Sequence, residues 1–208
     1  MNRGILVSFE GIDGCGKTTQ AKLFHRYLKK NGVPVVIMKE PGGTPAGEQI
    51  RRLLLSGKHS ISPWCELFLY LASRAQLLAD FIVPHLKKNS VVILDRHVDS
   101  TVAYQGYGRS LPVPLIDEIH RSFMQGITPA LTFLIDAPPE KLADILQAKG
   151  RDRIEKESMA FQRKVRAGYL RTAARNKRIK IIPRRTVEQT FVCVRQEWEK
   201  FRHEHGRG

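Results

Sequence analysis

An α/β fold, a parallel sheet of about five strands with helices on both faces, is what this sequence predicts, and three observations predict it. Short apolar runs rich in β-branched residues recur along a chain of 208 residues. Segments with helical spacing separate them, the alternation that builds a parallel sheet. The second run, residues 33–38, is apolar without alternation, as a strand buried on both faces should be. The length suits a single domain over 1–208, with material for a sizeable core.

In order, Ile5-Leu6-Val7-Ser8-Phe9 opens the sheet. Thr19 to Lys30 places Ala21, Leu23, Phe24, Tyr27 and Leu28 at helical spacing, and Asn31-Gly32 is a stop signal. After the strand at 33–38, Lys39-Glu40-Pro41-Gly42-Gly43-Thr44-Pro45 forms a loop at the sheet edge where open α/β sheets bind ligands. A short helix over 46–56 follows, then a long one that Ser62-Pro63 caps and that runs towards Lys88. Pro84 should kink or divide it. Val91-Val92-Ile93-Leu94 is the third strand, ending at Asp95-Arg96. Helical segments are predicted at 100–105 and 112–125, a strand at 131–136 and a helix at 139–149. A charged break at Gly150-Arg151-Asp152-Arg153 precedes a helix over 155–175, a strand at 179–182 and a closing helix over 187–201.

The first strand leads into Gly11-Ile12-Asp13-Gly14-Cys15-Gly16-Lys17-Thr18, which matches G-x-x-x-x-G-K-[ST] in the strand-to-helix setting the motif requires. Its glycines let successive backbone N–H groups point at a polyphosphate, and the next helix adds its positive end. Lys17 then reaches the β- and γ-phosphates and the Thr18 hydroxyl can ligate Mg²⁺. Residues 11–19, Gly11 to Thr19, are the expected ATP-binding set. The glycine spacing does not supply the dinucleotide fingerprint. Asp95, closing an apolar strand, has the position of a second metal-side acid. Arg51, Arg74 and Arg96 belong to elements reaching the same edge, and guanidinium groups bind phosphate oxygens through paired hydrogen bonds.

Cys15, Cys65 and Cys193 are odd in number and scattered, which fits neither a disulfide framework nor a zinc site and points to a reducing compartment, the cytoplasm. Cys15, inside the phosphate loop, reads first as a small residue that fits there, although a thiol at a helix N-terminus could be reactive. No uninterrupted apolar run is long enough to cross a bilayer, so no membrane is expected. The net charge of +15 would suit nucleic acid or anionic small molecules. It is spread over many segments, which favours a solvated basic surface, and nucleic acid is not expected as a partner.

Phe9 to Gln20 resembles the opening of thymidylate kinases, and so do Glu40-Pro41-Gly42-Gly43-Thr44-Pro45 with Arg51. Asp95-Arg96-His97 with Ser100-Thr101 and Ala103-Tyr104-Gln105-Gly106 continues the likeness, as do Asp152-Arg153-Ile154-Glu155 and Arg166-Ala167-Gly168-Tyr169-Leu170. The resemblance implies a nucleoside monophosphate kinase-like, phosphate-loop fold with a short lid near 148–158. It implies transfer of the γ-phosphoryl of ATP to dTMP, with Mg²⁺, in a homodimer. By resemblance Lys17 and Thr18 hold the donor, and Arg51 and Arg96 grip the dTMP phosphate. Asp13 takes the sugar 3′-hydroxyl and Arg74 the thymine carbonyl edge, with Ser100, Thr101 and Gln105 nearby. Tyr104 closes the 2′ position, and Tyr70 stands where a base-stacking aromatic is usual. The catalytic set is Lys17, Arg96 and the lid arginine Arg153, with Arg151 as its alternate. His97 and Pro183-Arg184-Arg185-Thr186 depart from the common pattern, the latter beside the adenine site of relatives. Two alternatives stay open: a kinase of the same fold with another acceptor, and a phosphate-loop protein that binds nucleic acid without catalysis.

Overall fold

Strands that are apolar on both sides need cover on both sides, and that requirement arranges the chain. The computed structural model describes residues 4–144, 152–154 and 156–205. Its sheet holds β1 (Ile5–Glu10), β2 (Val35–Lys39), β3 (Val91–Asp95), β4 (Leu131–Asp136) and β5 (Ile179–Pro183). The order is β2-β3-β1-β4-β5, and every neighbouring pair is parallel. All five predicted strands are present, with β2 shifted two residues later than its apolar run suggested.

Side-chain alternation sends successive residues to two separate cores. Val7, Phe9 and Ile93 join Phe24 of α1 (Lys17–Lys30) and Trp198 of α7 (Val187–Glu204) on one side. There the rings of Phe24 and Trp198 meet edge to face at 5.2 Å, and those of Phe24 and Phe133 at 5.6 Å. Leu6, Val92 and Leu94 pack on Leu77 and Ile82 of α3 (Pro63–Lys87) on the other. Between β2 and α3, helix α2 (Pro45–Leu55) starts where the Thr44 side chain accepts from the Gly47 N–H.

Pro84 does not divide α3, which runs on through it. The turn ahead of it, Leu78–Ile82, widens to π-helix, a re-spacing that accommodates the missing N–H and the ring. α3 is 25 residues long with a window of mean hydropathy 1.3, enough by length and composition alone to cross a bilayer. Its polar residues Glu66, Ser73 and Arg74 are buried within the protein, however, where Arg74 pairs with Glu40 and Glu66 with Arg109. The helix α4 begins at Val98–Thr101 and continues in π form through Val102–Gly108; α5 is Val113–Phe123.

Of the helix predicted over 139–149, a 3-10 turn at Pro139–Leu142 is observed, and residues 145–151 lie outside the described set. α6 (Met159–Ala174) starts later than expected, because the Ser158 side chain caps it by accepting from the Phe161 N–H. α6 packs on α4 where Gly168 faces Tyr107. A Cβ at Gly168 would come within 2.6 Å of that ring, so the glycine permits the contact.

Candidate active site

The register of β1 and β3 pairs Phe9 with Asp95, which sets the phosphate loop beside Asp95-Arg96 at the C-terminal edge of the sheet. Gly14 and Gly16 hold φ of 76° and 95°, the left-handed region a non-glycine residue resists. The phosphate-loop cavity is lined by Gly14, Cys15, Gly16, Lys17, Thr18, Thr19 and Asp13 together with Gln20, Arg184, Arg185 and Val187. Gly11 and Ile12 do not line it. Gly11 is scaffold: a Cβ there would sit 2.5 Å from the Ile135 carbonyl oxygen. Ile12 is buried, and its carbonyl accepts from Lys17 Nζ at 3.4 Å. Cys15 is buried as well, and burial pushes its thiol up, against the pull of Lys17, so it is not the reactive thiol its position suggested.

Thr18 Oγ1 donates to Asp95 Oδ2, while Asp95 Oδ1 is buried with no hydrogen-bond partner in the protein. A hydroxyl beside a carboxylate with an unsatisfied oxygen is a hard-oxygen set that fits Mg²⁺ and its waters.

A second cavity opens on the other side of Asp13, Lys39 and Arg96, which line both. All nine residues expected at the acceptor line it: Asp13, Arg51, Tyr70, Arg74, Arg96, Ser100, Thr101, Tyr104 and Gln105. Arg96 has a φ of 75°, and this unusual backbone aims its side chain back across the phosphate loop. Its Nη1 donates to the Gly11 carbonyl at 3.0 Å and its Nη2 to the Asp13 carboxylate. Asp13 also accepts from the Tyr104 hydroxyl at 2.8 Å. Burial opposes the Asp13 charge, but Arg96 and Lys17 outweigh it and hold the carboxyl well below the usual range. Arg51 donates to the Pro41 carbonyl at 2.9 Å, leaving its guanidinium at the cavity wall.

Arg74 is fixed at two of its nitrogens. Nε donates to Glu40 Oε2 at 2.7 Å; Nη1 donates to Thr101 Oγ1 at 2.8 Å and lies 2.8 Å from His120 Nε2. A guanidinium only donates, so His120 Nε2 is the acceptor and its proton sits on Nδ1. Burial and the neighbouring Arg74 push His120 down to about 2, which keeps it neutral. Glu40 also takes His97 Nδ1–H at 2.9 Å; burial works against its charge, yet Arg74 and His97 bring it down to about 2. Nη2 of Arg74 is the nitrogen left to offer a pair of N–H donors to the cavity.

Behind Gln105 lies Glu66, whose side chain has no solvent exposure. Oε1 accepts from Gln105 Nε2 at 2.9 Å and from Arg109 Nε at 3.1 Å; Oε2 accepts from Arg153 Nη2 at 2.6 Å. Arg153 further donates through Nε to the Leu54 carbonyl at 2.9 Å. The structure therefore holds this arginine on α2 and α3, outside the lining of the phosphate-loop cavity. Arg151 lies outside the described residues.

Sequence reasoning missed Glu66 and His120, and quoted Glu40 only as part of a motif, without a role. No local spacing marks them. Glu10 was quoted only as part of a motif. It is buried and accepts from the His97 N–H at 2.7 Å and Ser100 Oγ at 2.6 Å; burial, then Asp99, raises it to about 7.

The family model described as thymidylate kinase matches residues 9–191. A thymidylate kinase of Kosmotoga olearia is 46% identical over 180 residues, 86% of each chain. One from Thermoanaerobacter sp. (strain X514) is 43% identical over 198 residues, 95% of this chain and 93% of that one. Among solved structures, the thymidylate kinase of Ehrlichia chaffeensis superposes with a TM-score of 0.80 at 31% identity, covering 95% of this chain and 99% of that chain. With two cavities meeting at Asp13, Lys39 and Arg96, and with matches of this extent, the chain belongs to the thymidylate kinase family.

Proposed function

We propose that the chain transfers the γ-phosphoryl group of ATP to dTMP, giving dTDP and ADP. The observation that carries this reading is the pair of cavities sharing one wall: a phosphate loop on one side, and on the other a slot whose charged end is Arg51 and Arg96 and whose inner end is Arg74. The acceptor is a phosphate oxygen already ionised at neutral pH, so no base is required. Catalysis is alignment and charge neutralisation of a loose transition state. Lys17 neutralises the donor phosphates. Arg51 and Arg96 hold the acceptor phosphate in line, and Arg74 Nη2 donates to the thymine 4-carbonyl, which an amino group at that position could not accept. Tyr70 offers its ring to the base, Tyr104 closes the 2′ side, and Asp13 accepts the 3′-hydroxyl. Thr18 and Asp95 would hold Mg²⁺, which when bound draws charge from the β- and γ-phosphates.

Since Arg153 is engaged with Glu66, we assign the lid arginine that meets the γ-phosphate to Arg151. A homodimer is part of the proposal. Trp64 and Phe68 stack at 6.2 Å on α3 and are 40% and 56% exposed, an aromatic pair suited to an isologous contact. The three cysteines are free thiols, in keeping with a cytoplasmic location. The test is ADP formation from ATP and Mg²⁺ against a panel of nucleoside monophosphates. dTMP should give the fastest turnover; ADP formation with dTMP no faster than without acceptor would reject the assignment.

A further inference from the structure

The buried carboxylate of Glu66 sits on α3 one turn before Tyr70 and two turns before Arg74, and it joins parts of the acceptor cavity that come from distant stretches of chain. From α4 it receives Gln105 Nε2, and Gln105 lines the cavity. From the end of the charged break it receives Arg153 Nη2, and the residues flanking Arg153, Asp152 and Ile154, line the same cavity. Arg109 completes the cluster, donating to both oxygens of Glu66 at 3.1 Å and, through Nη1, pairing with Glu157 at 2.6 Å.

Two carboxylates thus meet two guanidinium groups, a balanced set; a single unpaired member would leave a buried charge without compensation. Burial opposes the Glu66 charge, but the hydrogen bonds of Arg109, Gln105 and Arg153 keep its carboxyl below the ordinary range. The Arg153 backbone adds a further tie, its N–H donating to the Leu55 carbonyl at 3.3 Å. Leu55 is itself a wall residue.

We propose that Glu66 is a positioning residue for the acceptor site, holding Gln105 in register with the wall formed by Asp152 and Ile154 by anchoring Arg153. Glu66 does not line the cavity, so its effect reaches dTMP through these neighbours. The role of Arg153 follows: it is an anchor of the acceptor wall and not a donor-phosphate ligand. This inference rests on the reading of the second cavity as the dTMP site.

The experiment compares Glu66→Gln, Arg153→Met and Arg153→Lys, each alone, and the first two combined. Steady-state rates are read with dTMP varied at saturating ATP, and hydrogen exchange is followed at the amides of Ile154, Lys156 and Glu157. Expected are a rise of about tenfold in KM for dTMP in Glu66→Gln and Arg153→Met, with kcat within about threefold of wild type. The double variant should be no worse than the more affected single one, the signature of a shared contact. Arg153→Lys should recover part of the loss, and exchange at the three amides should quicken in Glu66→Gln.

The proposal is overturned if Arg153→Met lowers kcat by about a hundredfold or more while Glu66→Gln is silent, which would return Arg153 to the phosphates. It is equally overturned if both variants lower only the melting temperature, leaving KM and kcat alone. Should Glu66→Gln fail to fold, Arg109→Met and Arg153→Met probe the cluster from its partly exposed side with the same readouts. Absence of dTMP turnover in the wild-type protein would reject the substrate, whereas unchanged exchange in Glu66→Gln would reject the anchor.

Discussion

The donor end and the acceptor end of this molecule are built by opposite means. At the donor end one continuous stretch of backbone, Asp13 to Gln20, supplies more than half of the lining, and glycine conformations make it possible. At the acceptor end the lining comes from α2, α3, α4, the loop after β2 and the segment around Ile154, and buried ion pairs such as Arg74–Glu40 hold it in place. A phosphate can be recognised by backbone N–H groups in a fixed curve, because every phosphate offers the same oxygens. A base must be distinguished from other bases, which needs particular donors at particular places, and these must be fixed by further side chains.

Removing one charged group at each end separates them most clearly. Lys17→Ala should lower kcat by about a thousandfold, the scale of losing a preorganised donor at a transferring phosphoryl group, with dTMP affinity unchanged. Rapid-quench or coupled steady-state rates would measure it. Arg74→Gln should lower kcat/KM for dTMP by about a hundredfold, roughly 3 kcal/mol, and leave KM for ATP alone. It should also narrow the preference for dTMP over dCMP, read as the ratio of their kcat/KM values.

Glu10, between the two ends, tests the electrostatics of their junction. Burial, then Asp99, raises its carboxyl to about 7 in the fold, from an ordinary 4.5. The unfolded chain therefore ionises first, and this group's contribution to stability, present at acid pH, is lost as pH rises through that interval. Thermal melts from pH 4 to 8 should show a decline that Glu10→Gln flattens. On the packing side, Gly168→Ala would press a Cβ within 2.6 Å of Tyr107 and should cost about 1–3 kcal/mol in denaturant unfolding. The smallest effect is expected at Cys15, whose buried thiol should resist iodoacetamide in the native protein while exposed Cys65 reacts.

This contrast also explains what could be read from the sequence. The phosphate loop, the five strands and the capping residues Thr44, Ser62 and Ser158 depend on neighbours within a few positions, so their signals are local, although only Ser62 was read as a cap and α6 was begun too early. The nine acceptor residues were named through resemblance to thymidylate kinases, and the structure gathers them around one cavity. The roles of Glu40, Glu66 and His120 left no local trace, since their partners lie 34, 87 and 46 residues away in the chain. The contact of Arg153 is hidden for the same reason: an arginine in a charged break reads as a mobile cation, and the buried carboxylate it meets lies 87 residues away. Pro84 was read by its local penalty, which a π-turn in the preceding residues absorbs.

Equilibrium binding of dTMP without ATP, by titration calorimetry on wild type, Lys17→Ala and Arg74→Gln, tests most directly whether the two ends recognise their ligands separately. The account predicts that wild type and Lys17→Ala bind dTMP alike and that Arg74→Gln binds it at least tenfold more weakly. Loss of dTMP binding in Lys17→Ala, or unchanged binding in Arg74→Gln, would contradict it.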